Sequence, residues 1–286
     1  MMKLALIGEG IARSQSPDLH QRLGQRLGLP TEYHLVDALE LADFDFKQAV
    51  MQLQQQGYRG TNVTYPFKEL AVKLATQLSE GVERVGSANT LVFEGGVIRA
   101  ENTDYSGFIS AYRHRFGDKA PGRVLLVGAG GVGRAVAFAL GKLGADQLLI
   151  LERDPSRGTD LCEDLSAQGI SARGLTAEEA DDLLGQLDGI VNCTPVGHLN
   201  HPGCPIDANK LQPQQWVFDA VYIPAETVLL TAAEAAGAAT LSGVDLFVYQ
   251  GVDAFRFFSK GQVSAVQLEA EILAVRDHFF QRLLGA

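Results

Sequence analysis

Four stretches in the N-terminal part of the chain carry short polar side chains of the kind that bind small polar molecules. They are GIARSQSPDLH (10–20), GTNVTYPFK (60–68), GSANT (86–90) and AENTDYSGF (100–108). Lys68 and Asp104 lie among these hydroxyl and amide groups. Each serine or asparagine alone is more often a cap or turn residue than a functional one, and Ser16 before Pro17 could simply cap a helix. As a set, with a lysine and an aspartate among them, they predict the site of a polar substrate.

A second candidate site begins in VLLVGAGGVGRAVAFAL (124–140), where a buried-strand pattern meets a glycine-rich turn and then a helical pattern. The glycines of G-x-G-x-x-G allow a tight turn and a close approach of backbone to a pyrophosphate, and the free N–H groups of the helix N-terminus face the anion. We predict dinucleotide binding here rather than only a tight strand-to-helix turn. The predicted contacts are Gly128, Gly130, Gly131, Val132 and Gly133.

The next predicted strand ends in LLILERDPSR, which leaves the choice between NAD and NADP open. Glu152 follows the last glycine by about 20 residues, where an acid accepts a hydrogen bond from the ribose 2′-OH of NAD. Arg153 and Arg157 instead suit a 2′-phosphate and can stack on adenine. For Arg157, a solvated surface charge explains the residue equally well.

Strand and helix patterns alternate along the chain, which is typical of βαβ units around a largely parallel sheet. The predicted strands are KLALIG near residue 3, EYHLVD near 32, GTNVT near 60, TLVFE near 90, VLLVG near 124, QLLILE near 147, GIVNCT near 189 and WVFDAV near 216. The predicted helices include Pro17 to Leu27 after Ser16, Phe44 to Gln55 after Asp43, Gly131 to Leu143, and Thr227 to Ala236. In an open sheet of this class, the strand ends that carry the polar stretches face one crevice.

We therefore expect an α/β fold with two domains. The loop FGDKAPGR (116–123) has the turn chemistry of a hinge, and from about Asp245 the pattern indicates two helices interrupted near 259–261. The predicted domains are residues 1–104 with helices from 245–286, and residues 105–244.

Composition excludes several classes of function. The 286 residues are 46% hydrophobic and carry a formal net charge of −10 with no Lys/Arg block, which opposes binding to nucleic acid or to an anionic membrane. No apolar run approaches the ~20 residues of a membrane-spanning helix, and no signal-peptide pattern follows Met1, so we expect a cytoplasmic protein. Three cysteines without C-x-x-C spacing indicate neither a disulfide framework nor a zinc site, and no metal is expected.

The ordered motifs SQSP…H, NVTYPFK, GSANT, ENTD, GAGGVG, NCTPVG, DAVYIPAET and YQGVDAF resemble those of the shikimate dehydrogenase family, including its quinate/shikimate branches. The resemblance runs from about Gly8 to Phe255. It implies an NAD(P)-dependent oxidoreductase that oxidises shikimate to 3-dehydroshikimate. It also implies that the N-terminal domain, with the C-terminal helices, binds the substrate and that a Rossmann-type doubly wound domain binds the nicotinamide cofactor.

The resemblance further implies that Lys68 and Asp104 are the catalytic acid–base pair. A free lysine is a poor base at neutral pH, but burial or a neighbouring carboxylate can change its acid–base behaviour. The proton is assigned to neither residue, because coupled groups titrate as a unit. The alternative for Lys68 is a surface lysine that opens a helix. The other implied contacts are Ser14 and Ser16 with the substrate carboxylate, Asn89, Asp104 and Gln250 with ring hydroxyls, Thr64 in the same pocket, and Cys193, Thr194, Pro195, Val221, Tyr222 and Gly243 with the cofactor.

Several positions depart from the commonest family pattern. Most members have Asn-Arg-Thr where this chain has Glu152-Arg153-Asp154, so strict NADP specificity is not expected and use of both NAD and NADP is plausible. The segments GEGIARS and GHLNHPG resemble the branch that contains NAD-using enzymes, and we expect His198 and His201 to be loop residues rather than metal ligands. A threonine at the position of Ser16 goes with quinate use in that branch, so Ser16 favours shikimate.

Three alternatives stay open at this point. The chain could be a quinate/shikimate dehydrogenase that prefers quinate, or a non-catalytic sensor of the same fold that binds dinucleotide or substrate. A methylenetetrahydrofolate dehydrogenase would need a large pterin pocket, whereas the Ser/Asn/Thr set suits a small polyhydroxylated acid. The expected partner is that small molecule, and the protein could be a monomer or a homodimer.

Overall fold

Two six-stranded sheets form the framework of the protein. The structure, a computed structural model, describes residues 1–284 of the chain. One sheet belongs to a compact unit of residues 1–107 and 248–275. The other belongs to a second unit that contains residues 108–247 and the segment from residue 276 onward.

The strands and helices alternate along the chain, as the sequence pattern predicts. The strands are β1 (Met2–Gly8), β2 (Thr31–Asp37), β3 (Gly60–Val63), β4 (Gln77–Leu78), β5 (Thr90–Glu94), β6 (Val97–Glu101), β7 (Arg123–Val127), β8 (Gln147–Leu151), β9 (Ala172–Gly174), β10 (Gly189–Asn192), β11 (Trp216–Asp219) and β12 (Ala239–Leu241). The helices are α1 (Ser16–Arg26), α2 (Phe46–Gln55), α3 (Lys68–Leu74), α4 (Glu80–Val85), α5 (Thr103–Phe116), α6 (Gly131–Lys142), α7 (Pro155–Ala167), α8 (Ala177–Leu183), α9 (Val228–Ala235), α10 (Gly243–Ser259) and α11 (Ala265–Leu283).

The first sheet has the strand order β2-β1-β3-β5-β6-β4. β1 is parallel to both β2 and β3, whereas β5 is antiparallel to β3 and β6 is antiparallel to β5. Gly95 and Gly96 join β5 to β6 with positive φ angles, as a tight hairpin turn requires. Because the chain reverses twice, β6 runs in the same direction as β3. The fully buried side chains of Ile7 and Leu91 belong to the core on this sheet.

The second sheet is parallel throughout, with the order β12-β11-β10-β7-β8-β9. This is the doubly wound order of dinucleotide-binding folds, and its direction of winding reverses between β7 and β10. Strands of such a sheet are buried on both faces, so they are apolar along their length. Leu125 and Leu149 are fully buried accordingly.

The C-terminal helices contribute to the first unit. The Arg59 guanidinium donates from Nε to the carbonyl of Phe258 on α10 at 3.0 Å, and Lys260 forms an ion pair with Glu94 at 2.8 Å. Arg26 and Glu271, on α1 and α11, also form an ion pair. The α/β class is therefore confirmed, and the part of the C-terminal helices in residues 248–275 returns to the first unit.

All eight predicted strands are present. The short edge strands β4, β9 and β12 and the five-residue inner strand β6 were not predicted. Three of the four predicted helix starts differ, and in α9 the difference is only that Thr227 is the cap and Val228 the first helical residue. Ser16 is the first residue of α1 rather than its cap, which is Gln15 without a side-chain cap bond. Asp45 rather than Asp43 caps α2, because its carboxylate accepts from the N–H of Gln48. Asp43 instead has a positive φ of 54°.

The predicted limits of the domains differ from the two units in detail. The units change at residues 107/108 and 247/248, three residues from the predicted positions, and the segment after Val275 belongs to the second unit rather than the first. The assignment of one domain to substrate and the other to cofactor stays a prediction.

Gly189 on β10 and Gly174 on β9 are a matched pair for testing close packing in the second sheet. A Cβ atom at Gly189 would lie 2.3 Å from Cε2 of Trp216, whereas one at Gly174 would have no neighbour within 4 Å. The indole is held in place because its N–H donates to the carbonyl of Pro121 at 3.0 Å. We expect Gly189→Ala to lower the free energy of unfolding by about 1–3 kcal/mol and Gly174→Ala to change it by less than about 0.5 kcal/mol. Urea titrations measure both, and equal losses would contradict this packing.

Candidate active site

The first unit brings the predicted polar residues to one edge of its sheet. Because β3 and β6 run in the same direction, both end at this edge, and the antiparallel β5 begins there. The register places Asn62 opposite Thr90, and Thr90 opposite Glu101. Lys68 follows β3, Asn89 precedes β5, and Asp104 follows β6, so the three side chains start from neighbouring points of the sheet.

Lys68 and Asp104 form an ion pair at the N-termini of two helices. Lys68 is the first residue of α3, and Asp104 is the second residue of α5. The lysine Nζ lies 2.5 Å from Oδ2 of Asp104, and the two side chains are 18% and 11% exposed. Charge-assisted hydrogen bonds of this kind are short and strong. The contact joins residues 36 positions apart. Because Lys68 is paired and mostly shielded from solvent, it differs from a solvated lysine that only opens a helix.

Asn89 fixes the start of α5 and therefore the position of Asp104. Its Oδ1 accepts from the backbone N–H of Thr103 at 2.7 Å, and its Nδ2 donates to Oγ1 of Thr103 at 3.0 Å. The Thr103 hydroxyl donates in turn to Oε1 of Gln250 on α10 at 3.4 Å. Asn89 is only 5% exposed, as expected of an amide whose hydrogen bonds are made inside the protein. The structure thus links three of the predicted site residues through Thr103.

A buried network beneath the same edge was not predicted as part of the site. The Tyr33 hydroxyl donates to Oδ1 of Asn62 at 2.8 Å, and Nδ2 of Asn62 donates to Oγ1 of Thr90 at 2.9 Å. Burial raises the pKa of Tyr33, and a hydrogen bond with the Ser16 side chain opposes this effect. The network therefore connects Ser16 to β3, which precedes Lys68 in the chain, and to β5, which follows Asn89 directly.

His20 lies under this network on α1, four residues after Ser16. Its ring stacks on Tyr33 with centroids 4.9 Å apart and planes inclined by 16°. Burial lowers the pKa of His20 to about 3, although a hydrogen bond with Asn62 acts in the opposite direction. The imidazole is consequently neutral at physiological pH. The histidine of SQSP…H was the available signal for this network, whereas nothing in the strand pattern EYHLVD marked Tyr33.

Ser14, Ser16 and Thr64 lie half-buried in loops or at a helix start on this edge. The Ser14 hydroxyl oxygen accepts from the N–H of Ser16 at 3.2 Å, which joins the two predicted carboxylate contacts. The Thr64 N–H donates to the carbonyl of Ile7 on β1 at 2.9 Å. The loop after β1 is also held by Asp37, whose carboxylate accepts from the N–H groups of residues 10 and 11 at 2.9 and 2.8 Å.

In the second unit, the glycine-rich turn lies where the winding of the sheet reverses. Gly128 follows β7 with a φ of 96°, and a Cβ atom at Gly133 would lie 2.0 Å from the Gly128 carbonyl oxygen. Gly130 is the cap of α6 and provides no side-chain cap bond, so Gly131, Val132 and Gly133 form a first helical turn without a side-chain cap. These residues fit a dinucleotide pyrophosphate, because the backbone can approach it closely and the helix N-terminus attracts an anion.

Glu152 holds this turn from the end of β8. Its Oε2 accepts from the N–H of Ala129 at 2.6 Å, and its Oε1 accepts from the N–H of Asp154 at 3.1 Å. Burial disfavours the charged carboxylate, but these N–H groups and the Arg157 guanidinium outweigh burial and lower the pKa of Glu152. Arg153 and Arg157 are both exposed. Each oxygen of the Glu152 carboxylate can still accept a further hydrogen bond. The predicted contact with a ribose is therefore compatible with these bonds and stays a prediction.

The remaining predicted cofactor contacts lie at the ends of the neighbouring strands. Cys193, Thr194 and Pro195 follow β10, and Cys193 donates from its N–H to the carbonyl of Val127 on β7 at 2.8 Å. Val221 and Tyr222 follow β11. The Tyr222 ring stacks on Phe247 at 5.3 Å, and burial raises the pKa of Tyr222. Gly243 is the first residue of α10.

The described residues contain neither a metal-binding cluster nor a membrane-spanning helix. Among residues 1–284, no group of three or more His, Cys, Asp or Glu side chains is arranged to hold a metal ion. His198 accepts at Nδ1 from the N–H of Asn200, and its backbone forms a turn with His201. None of the helices in this part of the chain is long and apolar enough to cross a membrane.

Comparison with known families identifies both halves of the chain. Residues 6–91 match the family model described as the shikimate dehydrogenase substrate binding domain. Residues 111–199 match the model described as shikimate / quinate 5-dehydrogenase. The first match contains Lys68 and Asn89, and the second contains the glycine-rich turn and Glu152. Asp104, Gln250, Val221, Tyr222 and Gly243 lie outside both matches.

Individual relatives match over nearly the whole chain. A quinate/shikimate dehydrogenase (NAD(+)) of Corynebacterium efficiens is 36% identical over 277 residues, which cover 95% of this chain and 98% of that protein. A shikimate dehydrogenase (NADP(+)) of Streptomyces avermitilis is 38% identical over 273 residues, with 94% of each chain covered. The structure of quinate dehydrogenase from Corynebacterium glutamicum in complex with NAD has a TM-score of 0.90 and 35% identity, and the match covers 98% of this chain and 99% of that one. With this extent of identity and the motifs in their expected order, the chain belongs to the shikimate dehydrogenase family.

Proposed function

We propose that the protein catalyses the reversible, NAD(P)-dependent oxidation of shikimate to 3-dehydroshikimate. The observation that carries this proposal is the Lys68–Asp104 ion pair, 2.5 Å long and largely shielded from solvent, at a strand edge lined with hydroxyl and amide groups. Oxidation of a secondary alcohol removes a hydride and a proton. A nicotinamide cofactor held at the glycine-rich turn would supply the hydride transfer, so the protein's own residues must handle the proton.

Lys68 is the group proposed to exchange that proton with the substrate oxygen. As an ammonium group, it donates to the carbonyl oxygen during reduction, and as an amine it accepts from the hydroxyl during oxidation. Asp104 holds the lysine and hydrogen-bonds the same region of the substrate.

The substrate carboxylate is proposed to bind the hydroxyls of Ser14 and Ser16. Neutral donors suffice for an anion when they are well aimed, and the link between Ser16 and Tyr33 restrains one of them. Asn89, Gln250 and Thr64 are proposed to bind the ring hydroxyls and line the pocket. This set of short polar groups suits a small polyhydroxylated acid and explains anion binding by a chain with a net charge of −10.

We further propose that NAD is preferred to NADP. Glu152 directly follows β8, the second strand of the dinucleotide fold. The adenosine ribose of a dinucleotide binds at the end of this strand. Its carboxylate is held in place by two backbone N–H groups, and its lowered pKa keeps it charged. Asp154, the cap of α7, adds a second carboxylate in the same loop. A 2′-phosphate would meet these negative charges, whereas a 2′-hydroxyl can donate to them.

Lys68→Met should remove proton transfer and leave cofactor binding intact. We expect kcat for shikimate oxidation to fall by about 10²–10⁴-fold, which is the typical contribution of a positioned acid or base. Lys73→Met is the matched control, because Lys73 lies on the same helix and is exposed. Steady-state rates and the Kd of NAD, measured for both variants, decide the outcome. Near wild-type turnover of Lys68→Met would contradict the proposed role.

Glu152→Gln should shift the cofactor preference toward NADP. The Glu152 charge repels the 2′-phosphate of NADP. If its removal lowers the free energy of NADP binding by about 1.4 kcal/mol, the NAD/NADP ratio of kcat/KM falls by about tenfold. Asp160→Asn removes the same charge from an exposed position further along α7 and should leave the ratio unchanged. An unchanged ratio in Glu152→Gln would show that the arginines of the loop determine the preference.

Shikimate should be oxidised with a higher kcat/KM than quinate, because Ser16 lacks the extra methyl group of threonine. Steady-state assays with both acids under identical cofactor conditions measure the ratio. A Ser16→Thr variant should move it toward quinate. A wild-type ratio that favours quinate would overturn this assignment.

A further inference from the structure

Asp219 is a fully buried carboxylate that the proposed chemistry does not use. It is the last residue of β11 and has no exposed surface. Its Oδ1 accepts from Nδ2 of Asn192 at 2.9 Å and from the N–H of Val221 at 3.0 Å. Its Oδ2 accepts from the Thr227 hydroxyl at 2.7 Å. Burying a carboxylate costs free energy unless hydrogen-bond donors satisfy it. The three donors around Asp219 offset this cost, which raises the question of what the buried carboxylate does.

The first branch of this network runs from Asp219 to the loop after β10. Asn192 is also fully buried, and its Nδ2 donates both to Asp219 and to the carbonyl of Val196 at 2.9 Å. Its Oδ1 accepts from the N–H of Thr194 at 3.0 Å and from the Thr194 hydroxyl at 2.7 Å. With its amide oriented by Asp219, Asn192 holds both ends of the segment 194–196.

That segment supports the glycine-rich turn directly. A Cβ atom at Gly128 would lie 2.8 Å from Cγ2 of Thr194 and 3.0 Å from the carbonyl oxygen of Cys193. The turn therefore rests on the loop that Asn192 holds, and a displaced loop would move the turn with it. This contact transmits the position of Asp219 to the backbone that faces the pyrophosphate.

The second branch runs along β11 to Val221. The N–H of Val221 donates to the same Asp219 oxygen as Asn192 does, which fixes the chain just before Tyr222. The start of α10 packs on this point, because a Cβ atom at Gly243 would lie 2.4 Å from the carbonyl oxygen of Val221. Through its Oδ1 atom, Asp219 thus holds two of the loops that the family resemblance assigns to the cofactor.

From these contacts we propose that Asp219 is a positioning residue for the nicotinamide cofactor, acting through Asn192 and Val221 without touching the cofactor itself. The inference rests on the proposed use of NAD(P) but not on the identity of the hydroxy acid. The Oδ2 branch to Thr227 serves a different purpose, because Thr227 caps α9 by accepting from the N–H of Leu230. The two carboxylate oxygens therefore separate cofactor positioning from helix stabilisation.

Asp219→Ala removes the acceptor of both cofactor loops. We expect the Kd of NAD to rise by about tenfold, which corresponds to the loss of one or two net hydrogen bonds. The Kd of shikimate, measured by calorimetry on the full chain without cofactor, should stay within about twofold of the wild-type value. If Asp219→Ala does not fold, Asn192→Ala cuts the first branch alone and should raise the Kd of NAD in the same direction.

Two controls separate positioning from a purely structural role. Asp219→Asn keeps an oxygen for Asn192 and Val221 and places its NH₂ group toward the Thr227 oxygen, so it should retain an NAD affinity within about threefold of wild type. Thr227→Val removes the cap of α9 and should lower the melting temperature without changing the Kd of NAD.

Two results would overturn the inference. One is that Asp219→Ala folds and binds NAD as tightly as wild type. The other is that Thr227→Val, at the same loss of stability as Asp219→Ala, weakens NAD binding by the same factor. Because both outcomes are read from binding and melting, they are independent of turnover. A wild-type protein that binds NAD but does not oxidise shikimate would contradict the proposed function and leave this test intact.

Discussion

The contact between Lys68 and Asp104 depends on the reversal of chain direction in the first sheet. A parallel sheet collects the residues that follow its strands at one edge, but β5 and β6 come from a hairpin. Two antiparallel pairings in succession return β6 to the direction of β3, so α3 and α5 begin at the same edge. Asn89, which precedes the strand between them, then ties the first residue of α5 in place. The ion pair is thus a consequence of strand order, secured by one buried amide.

The second unit is proposed to hold an anionic cofactor in a chain of net charge −10, which sets a different requirement from that of the first unit. Backbone N–H groups provide the local positive potential at the start of α6, and they require the turn before it to be held rigidly. Glu152 restrains that turn from the β8 side and Thr194 supports it from the β10 side. Glu152 accepts from a backbone N–H of the turn, whereas Thr194 packs against the turn with its Cγ2 methyl group, and neither support is a cation.

Much of this arrangement could be predicted from sequence, because it follows from local patterns. The buried-strand runs, the glycine-rich turn and the ordered polar stretches predicted the fold class and every strand of four or more residues except β6. Short strands such as β9 and β12, three residues each, carry too few residues for a periodic signal. The start of α2 was misplaced because two aspartates precede it, and only the geometry shows that Asp45 makes the cap bond.

The supporting groups could not be predicted, since they act across long sequence separations. Tyr33 meets Asn62 from 29 residues away, and Asn192 meets Asp219 from 27. Asn192 and Asp219 lie opposite each other on the paired strands β10 and β11, whereas β1 separates the strands of Tyr33 and Asn62. Both pairings depend on strand order and register, which local propensity does not determine. Sequence therefore identified groups proposed to contact ligands, whereas the structure identified the residues that hold those groups in place.

The measurement that tests the account most directly is reduction of the nicotinamide by purified protein with shikimate or quinate and NAD or NADP, in all four combinations. The near-ultraviolet absorbance of the reduced cofactor follows the reaction, and mass spectrometry identifies the organic product. The account predicts reduction with shikimate, fastest with NAD, and a product that has lost two hydrogens. Binding of shikimate and cofactor without reduction in any combination would contradict it and would favour a sensor that retains the fold.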